Sequence, residues 1–427
     1  MLARLDLRSS TDDPATVLGQ PDAGIDDVRE SVRAVVNDVR ARGDAALRTL
    51  TMRFDGVEID DFRVPDGRVR TALADVPAEL RAALEYVAGE ITAYHEAQRG
   101  VTVDLERDGI RLRELVRPVD RAGCYVPGGR ATYPSSVLMT AIPARVAGVR
   151  DVVLCTPPGD DGEVPTATLA AAAVAGVDEV YRVGGAQAIA ALAFGTETIA
   201  PVDVVVGPGN AYVAAAKREV AGTVGIESLA GPSEVVVVAD ETALPELVAA
   251  DLIAQVEHGP GGKAILVTWS DALADSVDTA VAKQLAIAPA GDDIERTLET
   301  AGQTVLVDDA SRATDVVNTI APEHVELMVA DPESLVGNVR NAGAIFCGPW
   351  APAVVGDYVA GVNHVLPTAR TARFSSALRI DDFCKHTHVV DVEEAALRRV
   401  APYVEALAAV EGLTEHGRSV TMRIEGP

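Results

Sequence analysis

The sequence predicts an α/β protein with two parallel-sheet domains. Short β-branched runs such as DVVLCT alternate with Ala-rich helical segments from about residue 150, and a second series of this kind starts at EVVVVAD. Strands that alternate with helices form βαβ units, which give a parallel sheet with helices on its faces. At about 150 residues per domain, a length of 427 residues suggests two or three domains. We expect ligand sites at the carboxyl ends of the strands in both sheets.

The charge balance excludes several classes of function. With 37 basic and 64 acidic side chains the formal charge is −27, so bulk charge does not favour nucleic acid or an anionic membrane as a partner. The hydrophobic share of 48% is too high for a disordered chain. Only four of the basic residues are lysine: Lys217, Lys263, Lys283 and Lys385.

An acidic, arginine-rich surface of this kind is typical of a protein adapted to high salt, which would screen its excess carboxylates. We therefore hypothesise a halophile-like surface. The protein should keep its fold in molar KCl, as followed by circular dichroism. Loss of the fold under those conditions would contradict the hypothesis.

Two further features place the chain in a broad class. No uncharged run reaches the roughly 18 residues of a membrane span, and the start MLARLDLRSSTDDPAT lacks an apolar segment, which predicts a cytoplasmic protein. The four cysteines show no CxxC spacing, so neither a zinc knuckle nor a disulfide framework is indicated, and we expect them to be small buried residues. They are Cys124, Cys155, Cys347 and Cys384.

Helices are predicted at both ends of the chain. A valine stripe from Val28 to Val39 marks the first helix, with Asp27 and Glu30 spaced as a capping box. A second helix follows Pro77, and we expect His95 to lie on its surface, beside an apolar face made by Leu80, Leu84, Val87, Ile91 and Tyr94. The tail from about Ala396 reads as helical and ends in the strand-like run SVTMRI.

Histidines with polar neighbours are the first candidates for chemistry, although a lone histidine is more often structural. Gln255 precedes His258 by three residues and so shares one helix face with it. Together with Asp357, in the turn VVGDYVAG, and His416 they could form a metal site of nitrogen and oxygen ligands that suits zinc, cobalt or manganese. These residues are scattered over about 160 positions, so spacing alone is weak support.

Two glycine turns are candidates for nucleotide binding. The segment GPGNAY at 207–212 follows a strand and opens a helix, and Gly184, Gly185 and Gln187 form a similar turn one unit earlier. Each turn presents backbone N–H groups at a helix N-terminus, where a pyrophosphate can bind. Neither has the full dinucleotide fingerprint, and glycine after a strand is common in ordinary turns.

Longer motifs run in order along the chain and resemble the histidinol dehydrogenase family. They are AGCYVPGGRATYPSSVLM at 122–139, VGGAQAIAALAFGT at 183–196, VVGPGNAYVAAAKREV at 205–220, AGPSEVVVVAD at 230–240 and DLIAQVEHGP at 251–260, followed by IAPEHVEL, NAGAIFCGPWAP, GDYVAGVNHVLPT and EGLTEH. The resemblance covers nearly the whole chain. It implies oxidation of L-histidinol to L-histidinal and then to L-histidine with two NAD, in a homodimer with one zinc per active site.

The resemblance also implies a role for individual residues. The zinc ligands would be Gln255, His258, Asp357 and His416, the last reaching the site of the partner subunit. The catalytic pair would be His324, as the general base, and Glu323, which activates water for attack on the aldehyde. The remaining implied contacts are Ser233, His364 and Glu411 to the substrate, with Tyr125, Gln187 and Asn210 to NAD.

The predicted division of the chain follows from the same reading. A leader spans 1–20, a first Rossmann-like α/β domain spans 21–125 and 235–378, a second on the NAD side spans 126–234, and a tail spans 379–427. Small as it is, the tail must pack on something, and exchange between the subunits of a dimer would explain it.

Four alternatives stay open on the sequence alone. The chain could be a related dehydrogenase of another small polar alcohol, although the carboxylate of Glu411 favours a substrate with an ammonium group. It could be a zinc hydrolase that uses Glu323, or a metal-binding or ligand-binding protein without catalysis. Within an aldehyde oxidation, Cys124 could act as a nucleophile in place of activated water.

Overall fold

The computed structural model describes residues 2–10, 14, 24–100, 102–129, 131–229, 231–257, 261–289 and 291–426. Contacts between Cα atoms divide the chain into two compact units. The first comprises Met1–Gln98 and Asp120–Phe383, and the second comprises Arg99–Val119 and Cys384–Pro427.

Fourteen strands are described, and eleven of them form two parallel sheets in the first unit. In chain order they are β1 (Ala3–Asp6), β2 (Asp104–Arg107), β3 (Ile110–Pro118), β4 (Arg121–Tyr125), β5 (Asp151–Thr156), β6 (Glu179–Arg182), β7 (Val204–Val206), β8 (Gly225–Ile226), β9 (Glu234–Ala239), β10 (Lys263–Thr268), β11 (Gly302–Leu306), β12 (His324–Met328), β13 (Ala344–Cys347) and β14 (Cys384–Val392).

The α-helices connect and cover these strands. In chain order they are α1 (Ile25–Arg42), α2 (Asp44–Phe54), α3 (Asp66–Asp75), α4 (Ala78–Ala97), α5 (Pro134–Ala147), α6 (Thr166–Ala175), α7 (Gly185–Phe194), α8 (Ala211–Val220), α9 (Pro245–Val256), α10 (Asp271–Leu285), α11 (Gly291–Ala301), α12 (Ala310–Ile320), α13 (Glu333–Val336), α14 (Ala353–Tyr358), α15 (Glu394–Glu411) and α16 (Thr414–Glu425). Short 3-10 helices span Thr371–Arg373 and Ile380–Phe383.

Both sheets of the first unit have the doubly wound arrangement. One sheet has the order β6-β5-β4-β7-β8, and the other has β1-β11-β10-β9-β12-β13, with every described pair parallel. The chain reverses its direction of winding between β4 and β7 in the first sheet and between β9 and β12 in the second. The predicted α/β class with parallel sheets is therefore confirmed.

Successive side chains of the central strands are buried on alternate faces of the sheet, which explains why helices cover both faces. In β9, all six residues are buried. Val235 and Val237 pack in one apolar cluster with residues of α9, α10 and α11, whereas Val236 and Val238 pack in another with residues of α12. Because successive side chains of a strand point to opposite faces, an uninterrupted valine run requires a helical layer on each side.

The first predicted helix forms, but its predicted cap does not. Helix α1 buries Val32, Val35, Val36 and Val39, and these valines join the apolar cluster of the sheet that contains β4. The helix begins after Gly24 without a side-chain capping bond. Asp27 therefore lies inside the first turn, where a carboxylate stabilises the helix through its dipole and cannot act as the cap.

His95 is not on the surface, contrary to the prediction. Helix α4 buries Leu84, Val87, Ile91 and His95, while Tyr94 is 44% exposed. The imidazole is tolerated because both nitrogens have partners: Nδ1 lies 2.8 Å from the carbonyl oxygen of Ile91, and Nε2 lies 3.4 Å from Nδ2 of Asn363. Helical spacing alone cannot distinguish this position from its neighbour, because the buried stripe of a helix is wide enough to include either.

The second unit contains an antiparallel sheet in the order β14-β3-β2 and the helices α15 and α16. The run SVTMRI is helical, so the predicted final strand is wrong. The partly buried residues Gly417, Val420, Thr421 and Ile424 recur at spacings of three and four. This period places them on one helix face. The six residues of SVTMRI do not reveal the pattern when they are read in isolation.

The predicted domain boundaries differ from the observed grouping at two points. Strand β1 lies within the predicted leader and pairs with β11, and β4 lies before the predicted boundary at 126 but pairs with β5 and β7. The proposed separation of the first unit into two domains stays a prediction. No helix within the described part of the chain is long and apolar enough to cross a membrane.

Only two of the four cysteines are buried, although all four were expected to be. Cys124 and Cys155 lie within central strands, whereas Cys347 is exposed and Cys384 is half-buried.

Candidate functional site

The predicted catalytic pair lies at the amino ends of β9 and β12. Helix α12 ends at Ile320 and is followed by Ala321, whose backbone is left-handed (φ 48°). This conformation costs about 1–2 kcal/mol of conformational free energy in a residue that has a Cβ. The chain then turns through Pro322 and delivers Glu323 and His324, and both side chains are buried. The predicted pair therefore lies opposite to the carboxyl ends of these strands, where a ligand site is expected.

At the opposite end of the sheet, Asp240 connects the segments that follow β9 and β12. Its carboxylate accepts hydrogen bonds from the backbone N–H groups of Thr242 and Ala330, both at 2.9 Å. These bonds join the segments that follow the two strands, exactly where the winding direction reverses. A ligand at this position would have to replace both bonds.

Glu323 is held by the start of β9. Its Oε2 accepts a hydrogen bond from the backbone N–H of Glu234 at 3.0 Å, and the side chain of Ser233 donates a second bond. Burial nevertheless raises the pKa of the Glu323 carboxyl group, although the nearby His324 opposes the shift. A carboxyl group with a raised pKa keeps its proton up to a higher pH than an exposed glutamate does.

His324 lies between two carboxylates. Its Nδ1 is 3.3 Å from the carbonyl oxygen of Glu234 and 3.6 Å from Oε2 of Glu323, and its Nε2 is 3.3 Å from Oδ1 of Asp357. The ring of Phe346 packs beside the imidazole, with 5.9 Å between ring centroids. Burial by itself would lower the pKa of His324, but the two carboxylates outweigh it and raise the pKa to about 9.

The predicted substrate contact His364 is anchored at both nitrogens. Nδ1 lies 2.9 Å from the carbonyl oxygen of Asp357, and Nε2 lies 3.1 Å from Oγ of Ser136 at the start of α5. The neighbouring Asn363 is buried and donates to the carbonyl oxygen of Met139 at 2.7 Å. Sequence reasoning missed Ser136, although it lies within the motif at 122–139.

Three of the four predicted metal ligands lie within the described residues. Gln255 is buried in the last turn of α9, and its Nε2 has no hydrogen-bond partner among the described residues. The side chain of Asp357 is 19% exposed and faces His324. His258 lies outside the described residues, and His416 is exposed on α16 in the second unit, as is Glu411 at the end of α15.

Within the described ranges, no group of three or more His, Cys, Asp and Glu side chains is placed to hold a metal ion. Gln255 and Asp357 nevertheless fit such a role, because the amide of Gln255, whose Nε2 has no described partner, and the carboxylate of Asp357, which is 19% exposed, both carry oxygen atoms of the kind that bind divalent cations. The structure therefore brings Glu323, His324 and Ser233 together with Asp357 and His364. His416 and Glu411 belong to the second unit.

The predicted cofactor residues lie at the carboxyl ends of β4, β6 and β7, as expected. The hydroxyl oxygen of Tyr125 accepts a hydrogen bond from the backbone N–H of Gly185 at 3.0 Å, which links the first two turns. Gln187 is buried in the first turn of α7. Asn210 caps α8, since its Oδ1 accepts from the N–H groups of Tyr212 and Val213 at 3.1 and 3.2 Å.

Gly207 follows β7, beside β4 where the winding of this sheet reverses. Its φ is 126°, and a Cβ there would lie 1.9 Å from the carbonyl oxygen of Tyr125, so only glycine fits. Its N–H donates to Oε1 of Glu227 at 2.6 Å, and its carbonyl oxygen accepts from Nζ of Lys217 at 2.5 Å. A ligand site at a topological switch point is the expected location for this fold.

The two side chains that hold Gly207 form a buried ion pair of their own. Nζ of Lys217 lies 2.6 Å from Oε1 of Glu227, and the side chains are 2% and 3% exposed. Sequence reasoning missed this pair, because lysine is rarely buried. The one available signal was a lysine in the Ala-rich helix α8 of a chain with only four lysines.

Cys124 has the surroundings of a packing residue. It is completely buried, and burial raises its pKa to about 12, although a hydrogen bond with Thr140 opposes the shift. A nucleophilic cysteine requires a lowered pKa and access for its substrate. Neither condition holds for Cys124.

Comparisons with known proteins identify the family of this chain. A family model described as histidinol dehydrogenase matches residues 19–424. The chain belongs to the histidinol dehydrogenase family. It is 50% identical over 399 residues to the histidinol dehydrogenase of Parasynechococcus marenigrum, covering 93% of this chain and 91% of that one. The enzyme of Gluconobacter oxydans is 48% identical over 429 residues, with coverages of 99% and 100%.

A solved structure supports the same family. The crystal structure of histidinol dehydrogenase from Elizabethkingia anophelis matches with a TM-score of 0.94 and 34% identity, and covers 99% of this chain and 98% of that one. The resemblance inferred from the sequence motifs is therefore confirmed. As a member of the histidinol dehydrogenase family, the chain is an NAD-dependent oxidoreductase of histidine biosynthesis, and the family generally uses NAD and a metal.

Removal of the Lys217 ammonium group should strongly destabilise the protein. In Lys217→Met the buried carboxylate of Glu227 loses its counter-ion, and breaking a buried pair in this way costs roughly 3–5 kcal/mol. The measurement is the free energy of unfolding from urea denaturation. The control is Lys283→Met at an exposed position of α10, where a change within about 0.5 kcal/mol is expected. Equal effects of the two variants would show that the buried pair contributes nothing.

Proposed function

We propose that the chain oxidises L-histidinol through L-histidinal to L-histidine with two NAD and one zinc ion per active site. The observation that carries the proposal is the buried contact of Glu323, His324 and Asp357 in a chain of this family. A biosynthetic role of this kind agrees with the predicted cytoplasmic location.

We assign the metal to Gln255, His258, Asp357 and His416, with His416 supplied by the partner subunit. When bound, a metal ion would fix the substrate and the NAD would accept the hydride. The buried amide of Gln255, whose Nε2 has no described partner, and the partly exposed carboxylate of Asp357 support this assignment. Tyr125, Gln187 and Asn210 are assigned to the cofactor, since they lie at the carboxyl ends of β4, β6 and β7, and β4 and β7 flank the switch point of their sheet.

His324 is assigned the removal of the hydroxyl proton. An imidazole can do so only in its neutral form, and its buried position prevents competition from bulk water. The carboxylates of Glu323 and Asp357 raise the pKa of His324 by favouring its protonated ring. A cation bound to Asp357 would neutralise part of that negative charge and so weaken the effect on the pKa. His324 would then titrate closer to neutral pH.

Glu323 is assigned the activation of water for attack on the aldehyde. Its Oε2 is fixed by the N–H of Glu234 and by Ser233, so the carboxylate keeps one orientation while it accepts a proton. Its raised pKa makes it a stronger base than an exposed glutamate. Ser233, His364 and Glu411 are assigned to substrate binding, with the Glu411 carboxylate facing the substrate ammonium group.

Apolar side chains exposed on the second unit support a homodimer in which the tail completes the partner's site. On α15, Tyr403, Leu407 and Val410 are 69%, 65% and 89% exposed. On the three-stranded sheet, Val390 and Leu105 are 59% and 52% exposed. Patches of this kind are typical of surfaces that a partner covers.

Counting the reduced cofactor tests the proposed reaction. With L-histidinol as substrate, two NADH should form for each molecule consumed, because the alcohol and the aldehyde are each oxidised by two electrons. The measurement is absorbance of NADH against substrate loss in the presence of zinc. One NADH for each substrate would indicate a simple alcohol dehydrogenase, and no NADH formation would exclude the proposal.

Variants of the catalytic pair should separate the two oxidation steps. His324→Ala should greatly reduce the rates with both histidinol and histidinal, by the 10²–10⁴-fold that general base catalysis typically contributes. Glu323→Gln should lower the rate with histidinal more than the rate with histidinol. Equal losses on both substrates in Glu323→Gln would contradict the assigned division of roles.

Hybrid dimers test whether the tail acts across the subunit interface. His416→Ala and His258→Ala homodimers should both be inactive, because each site lacks one ligand. A mixed dimer should regain activity, since one of its two sites then carries neither substitution. Subunit exchange is verified by mass spectrometry of differently tagged chains, and absence of recovery after exchange would argue for ligands from a single subunit.

A further inference from the structure

The buried carboxyl group of Glu326 connects three separate parts of the candidate site, and no role has yet been assigned to it. It lies on β12 two residues after His324, and the residue is 1% exposed. Its Oε1 accepts a hydrogen bond from the backbone N–H of Ala353 at 2.7 Å. Ala353 is the first residue of α14, the helix that carries Asp357.

The same carboxyl group also contacts the helix that carries Gln255. The side chain of Asp251 on α9 lies where it can hydrogen-bond with the Glu326 carboxyl group, whose Oε2 is buried and has no other partner among the described residues. Two carboxyl groups can form such a bond only with a proton between them. Burial raises the pKa of both groups, and their proximity raises that of Glu326 further, so the shared proton is retained.

We propose that the Asp251–Glu326 carboxyl pair is the positioning element of the metal-ligand set. Glu326 fixes the first turn of α14 and so the place of Asp357, while Asp251 fixes α9 one turn before Gln255. The inference rests on the proposed metal assignment. Neither residue touches the substrate, so both act through the ligands that they place.

Helix α14 depends on this bond more than a longer helix would. It has only six residues, and its own N-cap, Pro352, makes no side-chain capping bond. The carboxyl group of Glu326 therefore serves as the cap, supplied from the neighbouring strand. An acceptor at a helix N-terminus satisfies an otherwise unpaired N–H and is favoured by the helix dipole. Without it, the helix that presents Asp357 would lose its fixed first turn.

Metal affinity of the purified protein tests the proposal without reference to turnover. The probe is Co²⁺, titrated into metal-free protein against a competing chelator, with its visible absorption as a record of ligand geometry. Glu326→Met should weaken Co²⁺ binding by about 10–100-fold, the usual effect of losing an outer partner of a metal ligand, and should alter the spectrum. Glu326→Gln should restore both, because its amide can accept from Ala353 and donate to Asp251.

A control and a second variant keep the test decisive. Asp240→Ala removes two backbone hydrogen bonds at the opposite end of β9, so it should lower the free energy of unfolding without changing Co²⁺ affinity. If Glu326→Met does not fold, Asp251→Leu replaces it, with the same expected loss of affinity. Wild-type affinity in a folded Glu326→Met or Asp251→Leu would overturn the inference.

Failure of the underlying metal assignment has a different signature. In that case Asp357→Ala would bind Co²⁺ as tightly as the wild type, whatever the Glu326 variants do. Loss of binding in Asp357→Ala together with full binding in Glu326→Met would retain the metal site and reject the positioning role.

Discussion

Parallel pairing of β9 with β12 is the interaction on which the candidate catalytic centre depends. The register sets His324 opposite Val235, one residue beyond Glu234. In that register the backbone N–H of Glu234 reaches the Glu323 carboxylate and its carbonyl oxygen reaches the His324 imidazole. A shift by a single residue would turn both side chains to the other face of the sheet. The valines that pack on both faces of β9 fix its register, and they therefore also fix the positions of Glu323 and His324 beside its first residue.

The two candidate sites of the first unit neutralise their buried charges in different ways. At the candidate catalytic centre, the carboxyl groups of Glu323 and Asp357 lie beside the imidazole of His324, which would be unfavourable unless protons or a cation offset them. At the cofactor turns, a single buried lysine, Lys217, is neutralised by Glu227, and both groups are used to hold the backbone of Gly207. The first arrangement suits a site that exchanges protons and charge. The second suits a turn that must stay in one place.

Much of this could be predicted because several signals are local. Alternation of β-branched and Ala-rich segments gave the parallel sheets, and the glycine turns were placed correctly at strand ends. The errors arose where an outcome depends on distant partners. Burial of His95 requires Asn363, which is far away in sequence, and the helical state of SVTMRI requires α15 to cover its partly buried face.

By itself, the sequence determined the fold class and the family, and it supplied Glu323 and His324 as the candidate catalytic pair, because long ordered motifs and hydrophobic periodicity are properties of the chain alone. Only the tertiary structure decided that this pair lies at the amino ends of its sheet, since loops flank both ends of a strand and composition does not distinguish them. The same holds for Lys217 and Glu326. The role of each follows from the backbone groups that folding brings against it.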